Sequence, residues 1–285
     1  MGKLYVFGNG LDKHYGLKTA PADFSDILRN KRIYNEFEDA TEIFAGYNVG
    51  WGNFEEDIAE IDLEQLENNQ VNYPDYLSDH EYDRDGVITN VAYYLDSLRK
   101  AIFDSLSEMV INAEQNIQSL PMDSRWLFED EDMILSFNYT STIEQISDTK
   151  NIPILHIHGF FNAGDFLILG YKEPLNSYNY LKFSNPEDGD YYMEKQLSLI
   201  NDFYMSLKKE MQFIKLESFL KKAKRIDEIF VYGHSLGKVD APYFEMIEQT
   251  LHPKKWNVSY HNRDDEVMFN KNQLSFADKI HLFLW

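Results

Sequence analysis

A chain of 285 residues, 44% of them hydrophobic, is long enough to bury a sizeable core as one α/β domain with helical insertions, and too apolar to be disordered. Its formal net charge of −21 repels nucleic-acid phosphates and anionic membrane surfaces, which argues against both as partners. The absence of cysteine removes disulfides, thiolate nucleophiles and cysteine-ligated zinc; with no secretory leader pattern and no apolar run of membrane-spanning length, the expected location is the cytoplasm.

Leu4–Phe7 is a short apolar run entering Gly8-Asn9-Gly10, the pattern of a buried strand followed by a tight turn open to close ligand approach. From about 25 to 130 the period turns helical and predicts an insertion, with Phe54, Ile58 and Ile61 at helical spacing and then Val91, Tyr94, Leu95, Leu98, Ile102 and Leu106. The acidic, tyrosine-rich stretch Asn72–Gly86 interrupts it and reads as a flexible loop. Sheet signals return at Met133–Phe137, Ile154–Ile157 and Phe166–Leu169, with a crossover helix around Thr142–Ile146. A second helical insertion is predicted from about 175 to 225, with Leu197, Ile200, Phe203, Leu207, Met211, Ile214 and Leu220 on one face. The basic run Lys221–Arg225 then tops a helix C-terminus, where cations suit the macrodipole. Ile229–Tyr232, Trp256–Tyr260 and Ile280–Trp285 read as later strands, which makes the fold α/β, a Rossmann-like open and mostly parallel sheet.

Four of these strands end abruptly in small or polar residues, and in an open parallel sheet ligands bind in the crevice outside the carboxyl ends. Gly8-Asn9-Gly10 at a strand-to-helix junction can face a pyrophosphate, although Lys13 occupies the third-glycine position of the dinucleotide fingerprint. Asp12 would be repelled by that phosphate unless it turns to a ribose hydroxyl or caps a helix. Asn138 can orient a water or a sugar hydroxyl, or simply form a turn. His156 and His158 alternate across one strand and cannot easily share a metal; His158 is the one expected at the crevice, and His156 is expected in the core with its hydrogen bonds satisfied. Gly233-His234-Ser235-Leu236-Gly237 matches the Gly-x-Ser-x-Gly of a serine hydrolase, whose partners would have to be Asp264 or Asp265 with His281.

The blocks Gly-Asn-Gly-Leu-Asp, Ser-Phe-Asn-Tyr-Thr-Ser-Thr-Ile-Glu, His-Ile-His-Gly and Gly-His-Ser-Leu with Asp240 and Tyr243-Phe244 together resemble the bacteriophage abortive-infection AbiH family over almost the whole chain. They also resemble, more remotely, the sirtuin-like fold of NAD-consuming antiphage proteins. That likeness implies an NAD glycohydrolase releasing nicotinamide and ADP-ribose, with Asn138 and His158 catalytic and Gly8, Asn9, Gly10, Asp12, Gly233, Ser235 and Asp240 binding NAD. Asp12 stands where sirtuin-like proteins usually carry serine, and Thr140 where an aspartate usually follows the Asn. Without cysteine the zinc module of protein deacetylases is missing, which favours hydrolysis over deacylation. No metal is expected; the partners implied are NAD or an ADP-ribose-like nucleotide, with a phage-derived trigger and homo-oligomerisation left open. The alternatives are a serine hydrolase using Ser235 and a non-enzymatic NAD or ADP-ribose sensor.

Overall fold

The computed structural model describes residues 2–31, 58–59, 61–171, 190–261 and 274–285. By its internal contacts the chain divides into two compact units, one made of residues 1–20, 110–168 and 210–285, the other of residues 21–109 and 169–209.

The first unit holds a six-stranded sheet with every neighbouring pair parallel: β1 (Gly2–Phe7), β2 (Met133–Ser136), β3 (Ile154–His156), β4 (Ile226–Tyr232), β5 (Lys255–Tyr260) and β6 (Ile280–Leu284). Their spatial order is β3-β2-β1-β4-β5-β6, the doubly wound order that reverses at the first strand. β1 lies centrally and is buried on both faces, which is why its sequence is a continuous apolar run. Leu4 and Val6 join Met133, Leu135, Ile229, Val231, Trp256 and Val258 on one face. Tyr5 and Phe7 join Ile134 on the other. The helices sort accordingly: α7 (Phe213–Leu220) and α8 (Ala241–Leu251) cover the first face, and α1 (Gly10–His14) and α5 (Thr142–Ile146) cover the second. Phe7 is level with Ser136 and Tyr232, and Ser136 with His156, so four strands stop on one line and the loops leaving them meet at the carboxyl edge.

The described part of the second unit contains α2 (Pro21–Arg29), α3 (Leu63–Gln70), α4 (Glu81–Ile117) up to Met109, and α6 (Tyr191–Ser206). Val91, Leu95, Leu98, Ile102 and Leu106 form the buried stripe of α4, as their spacing predicts. Phe54 lies outside the described residues.

Three expectations change. Phe166–Leu169 is not a strand of the sheet: Phe166 is exposed, and the segment is joined to the sheet side by the Ile168 N–H donating to the His158 carbonyl (2.8 Å). The apolar stripe from Leu197 to Leu220 is two helices instead of one, because Tyr171 exchanges backbone hydrogen bonds with Leu207 and Lys209 and so interrupts the helical ladder; the phase then resets and Ile214 faces solvent. Finally, α4 begins at Glu81, inside the stretch read as a loop. Ser78 there donates to Asp83 (2.5 Å), and Glu81 and Asp83 suit the positive end of the helix.

Candidate functional site at the carboxyl edge

Because the order of strands reverses at β1, the switch point lies between β1 and β4, where Gly8 and Gly10 meet Gly233. The contact is backbone on backbone. Gly8 N–H donates to the Tyr232 carbonyl (2.9 Å) and Gly10 N–H to the Gly233 carbonyl (2.8 Å). A Cβ on Gly10 would sit 2.5 Å from the Gly233 Cα, and Gly233 itself has φ +62°. Internal packing therefore accounts for these glycines before any ligand is considered. Asn9 is likewise tied inward, its Nδ2 donating to the Thr19 carbonyl (2.7 Å) while Thr19 Oγ1 donates to its Oδ1 (2.6 Å).

Beside this junction, α1 carries Asp12 into full burial. Thr140 Oγ1 donates to both carboxylate oxygens (2.9 and 2.8 Å), Thr142 Oγ1 donates to one of them (2.6 Å), and Asn138 Nδ2 approaches at 3.4 Å. Burial raises the Asp12 pKa to about 6, against the pull of the two threonine hydroxyls. Asn138 is itself buried, and its Oδ1 has no hydrogen-bond partner among the described residues. An unanswered acceptor at a strand end is costly unless something supplies a donor.

The two histidines point opposite ways for a reason other than strand alternation, which would put residues two apart on one face: β3 stops at His156 and the chain turns over Ile157 and His158. His156 Nδ1 donates to the Asn138 carbonyl (2.9 Å), and its Nε2 lies 2.8 Å from Glu144 Oε1. Its ring also stacks on Phe160. On the other side, His158 Nε2 lies 3.3 Å from Asp240 Oδ1, and His234 Nε2 lies 3.5 Å from Asp240 Oδ2. His234 Nδ1 accepts from the Leu236 N–H (2.9 Å), which leaves Nε2 as the protonated nitrogen facing Asp240. Phe137 packs edge-on against both rings.

The structure thus gathers the sequence-predicted residues into three neighbouring groups: Gly8 and Gly10 with Gly233, Asp12 with Asn138, and His158 with Asp240. Ser235 stands apart from them in character. It is exposed, and eight residues separate the end of β4 from the start of α8, so there is no sharp strand-to-helix elbow; the left-handed residues of that turn are Gly233 and the buried Leu236 (φ 53°), not Ser235. Of its required partners, His281 is exposed on β6, and Asp264 and Asp265 lie outside the described residues. Sequence reasoning passed over Thr142, Glu144 and His234. Thr142 and Glu144 sit in the Thr-Ser-Thr-Ile-Glu run right after Asn138, and that run of hydroxyls was the available signal.

A cavity of about 470 Å³ opens at the opposite, amino edge, lined by Lys221, Lys224, Arg225, His252 and Lys254 among others. It faces the C-terminal ends of α7 and α8, where cations answer the helix dipoles, and Asp227 already pairs with Arg225 (3.0 Å) and Lys254 (2.7 Å). The carboxyl edge remains the candidate site. Among the described residues no group of three or more His, Asp or Glu is arranged to hold a metal ion, and no helix is long and apolar enough to cross a membrane.

No curated protein and no solved structure matches the chain. The family model described as bacteriophage abortive infection AbiH matches residues 4–260, a span that runs from within β1 to the end of β5 and includes every residue of the three groups at the carboxyl edge. The chain belongs to the AbiH family of bacteriophage abortive infection proteins.

Proposed function

We propose that the chain acts in abortive infection as a sirtuin-like NAD glycohydrolase in the cytoplasm, depleting the cofactor by releasing nicotinamide and ADP-ribose. The observation that carries this reading is the buried Asn138 side chain, held beside Asp12 at the carboxyl edge with its Oδ1 unanswered. A ribose hydroxyl or a water is a donor that this oxygen would take. Support also comes from the two departures from the sirtuin-like pattern, because they meet in space. The resemblance puts a serine where Asp12 stands and an aspartate where Thr140 stands, and in this chain the Thr140 hydroxyl donates to the Asp12 carboxylate. On this reading the two form a hydroxyl–carboxylate pair with its ends exchanged relative to that pattern.

Nicotinamide leaves NAD as a neutral group from a cationic one and needs no general acid. The work falls on the oxocarbenium that remains. The Asp12 carboxylate supplies fixed negative charge in a buried setting, Asn138 orients the ribose or the attacking water, and His158, braced by Asp240, binds a ribose hydroxyl. A non-enzymatic sensor of NAD or ADP-ribose is the second reading, favoured by the burial of His158 and Asp240.

Mixing purified protein with NAD and following nicotinamide decides between the readings. Release that falls at least about a hundredfold in Asn138→Ala and His158→Ala, while Ser235→Ala keeps most of it, is the expected result. NAD binding by calorimetry without release supports the sensor. Neither binding nor release removes NAD from the site, and covalent labelling of Ser235 by a fluorophosphonate, with intact NAD, overturns the proposal in favour of a serine hydrolase.

A further inference from the structure

The connection between α3 and α4, with the first turn of α4, shows an unusual surface. Tyr73 is 75% exposed, Leu77 94% and Tyr82 84%, and Tyr191 at the start of α6 is 65% exposed. Three large apolar side chains this exposed within ten residues of chain suit a contact surface. The segment is also held in place. Asn72 N–H donates to Gln196 Oε1 (3.1 Å), Gln196 Nε2 donates to the Asn72 carbonyl (2.9 Å), the Tyr76 hydroxyl donates to Asp190, and the Tyr76 ring sets its edge against Tyr192. Tyrosines on a fixed frame offer contact area at low entropic cost.

Interleaved with the aromatics are Asp75, Asp79, Glu81, Asp83 and Asp85, all exposed, and the one formal cation between Asn72 and Asp85 is Arg84. We propose that this face binds a lysine- and arginine-rich protein segment. Guanidinium and ammonium groups can lie over tyrosine rings while pairing with the neighbouring carboxylates, so the two features select the same partner. A second copy of the chain would bring like charge against like charge, and an anionic membrane or a nucleic acid would do the same. The inference is independent of what the carboxyl-edge site does.

The test titrates the full chain into a fluorescein-labelled peptide of alternating arginine and glycine and reads anisotropy at near-physiological salt. Saturable binding is expected, with affinity at least about tenfold weaker in Tyr73→Ala/Leu77→Ala/Tyr82→Ala, a variant that keeps the net charge. Asp79→Asn/Asp85→Asn should weaken it several-fold as well, with unchanged thermal melting in both variants because all five side chains are exposed. Equal affinity in the aromatic variant would mean only general attraction to an acidic chain and would overturn the proposal. So would no binding by the parent, or a parent dimer that the aromatic variant converts to monomer in sedimentation.

Discussion

Asp12 is a carboxylate that folding removes from water, and the threonine hydroxyls that donate to it do not fully compensate for that. Its pKa rises from an ordinary 3.8 to about 6, so between those values the folded state holds a proton that the unfolded chain has released. Stability associated with this group is therefore present below the lower value and lost as pH rises through the higher one, a change of up to roughly 3 kcal/mol. Asp12→Asn keeps an acceptor for the threonines and removes the titration. In urea unfolding at a series of pH values from 4 to 7, the variant should gain stability relative to the parent as pH rises, and the gain should level off above about 6. Parallel curves would show that Asp12 titrates in the fold as it does in water. For the reaction proposed here, the same burial matters in the other direction, since at neutral pH the ionised form supplies concentrated negative charge near Asn138.

At the scale of elements, the β1–α1 turn and the β2–α5 turn are joined chiefly through Asp12, Thr140 and Thr142. If Asp12 and Thr140 are one pair with exchanged ends, Asp12→Ser or Thr140→Asp alone should each cost about 1–3 kcal/mol, by leaving a bare hydroxyl or by burying two carboxylates together. The double variant should recover most of that loss, and a double-mutant cycle on urea midpoints measures the coupling; strictly additive losses would sink the exchanged-pair reading. This pairing was not legible in the sequence, because Asp12 and Thr140 are brought together only by the parallel register of β1 and β2. Local chemistry, by contrast, was legible. Short apolar and aromatic runs marked all six strands, four of them with small or polar residues at their ends, and the 3.6-residue period marked α4. The false strand at Phe166–Leu169 shows the limit of that signal, since a short apolar run looks the same whether or not a neighbouring strand is there to receive it. The glycines carry a subtler ambiguity. A glycine needed for ligand approach and one needed for contact with Gly233 leave the same trace in a sequence, and it takes the 2.5 Å clearance at Gly10 to reveal the second requirement.

For the molecule as a whole, the charge of −21 is the term most exposed to conditions. Like charges held close by folding repel, and unfolding relieves that repulsion. Ion pairs such as Lys100–Asp104, Lys221–Glu217 and Lys224–Glu131 work the other way, but they are largely exposed and solvent screening leaves each of them little weight. Forty-eight acidic residues against 27 Lys and Arg leave an excess of 21 carboxylates, so repulsion should outweigh the pairs. Raising sodium chloride from about 20 to about 300 mM shortens the Debye length from roughly 20 to under about 10 Å, which screens the repulsion over most inter-carboxylate distances. The midpoint of thermal unfolding should therefore climb by several degrees at pH 7.5, each kcal/mol being worth roughly 2–4 °C in a chain of this size. The climb should shrink as pH is lowered toward the pI near 4.7, where the net charge vanishes. Differential scanning fluorimetry across the two variables is enough to see it. A midpoint that falls with added salt at pH 7.5 would mean that the ion pairs, not the excess carboxylates, dominate the surface electrostatics of the folded chain.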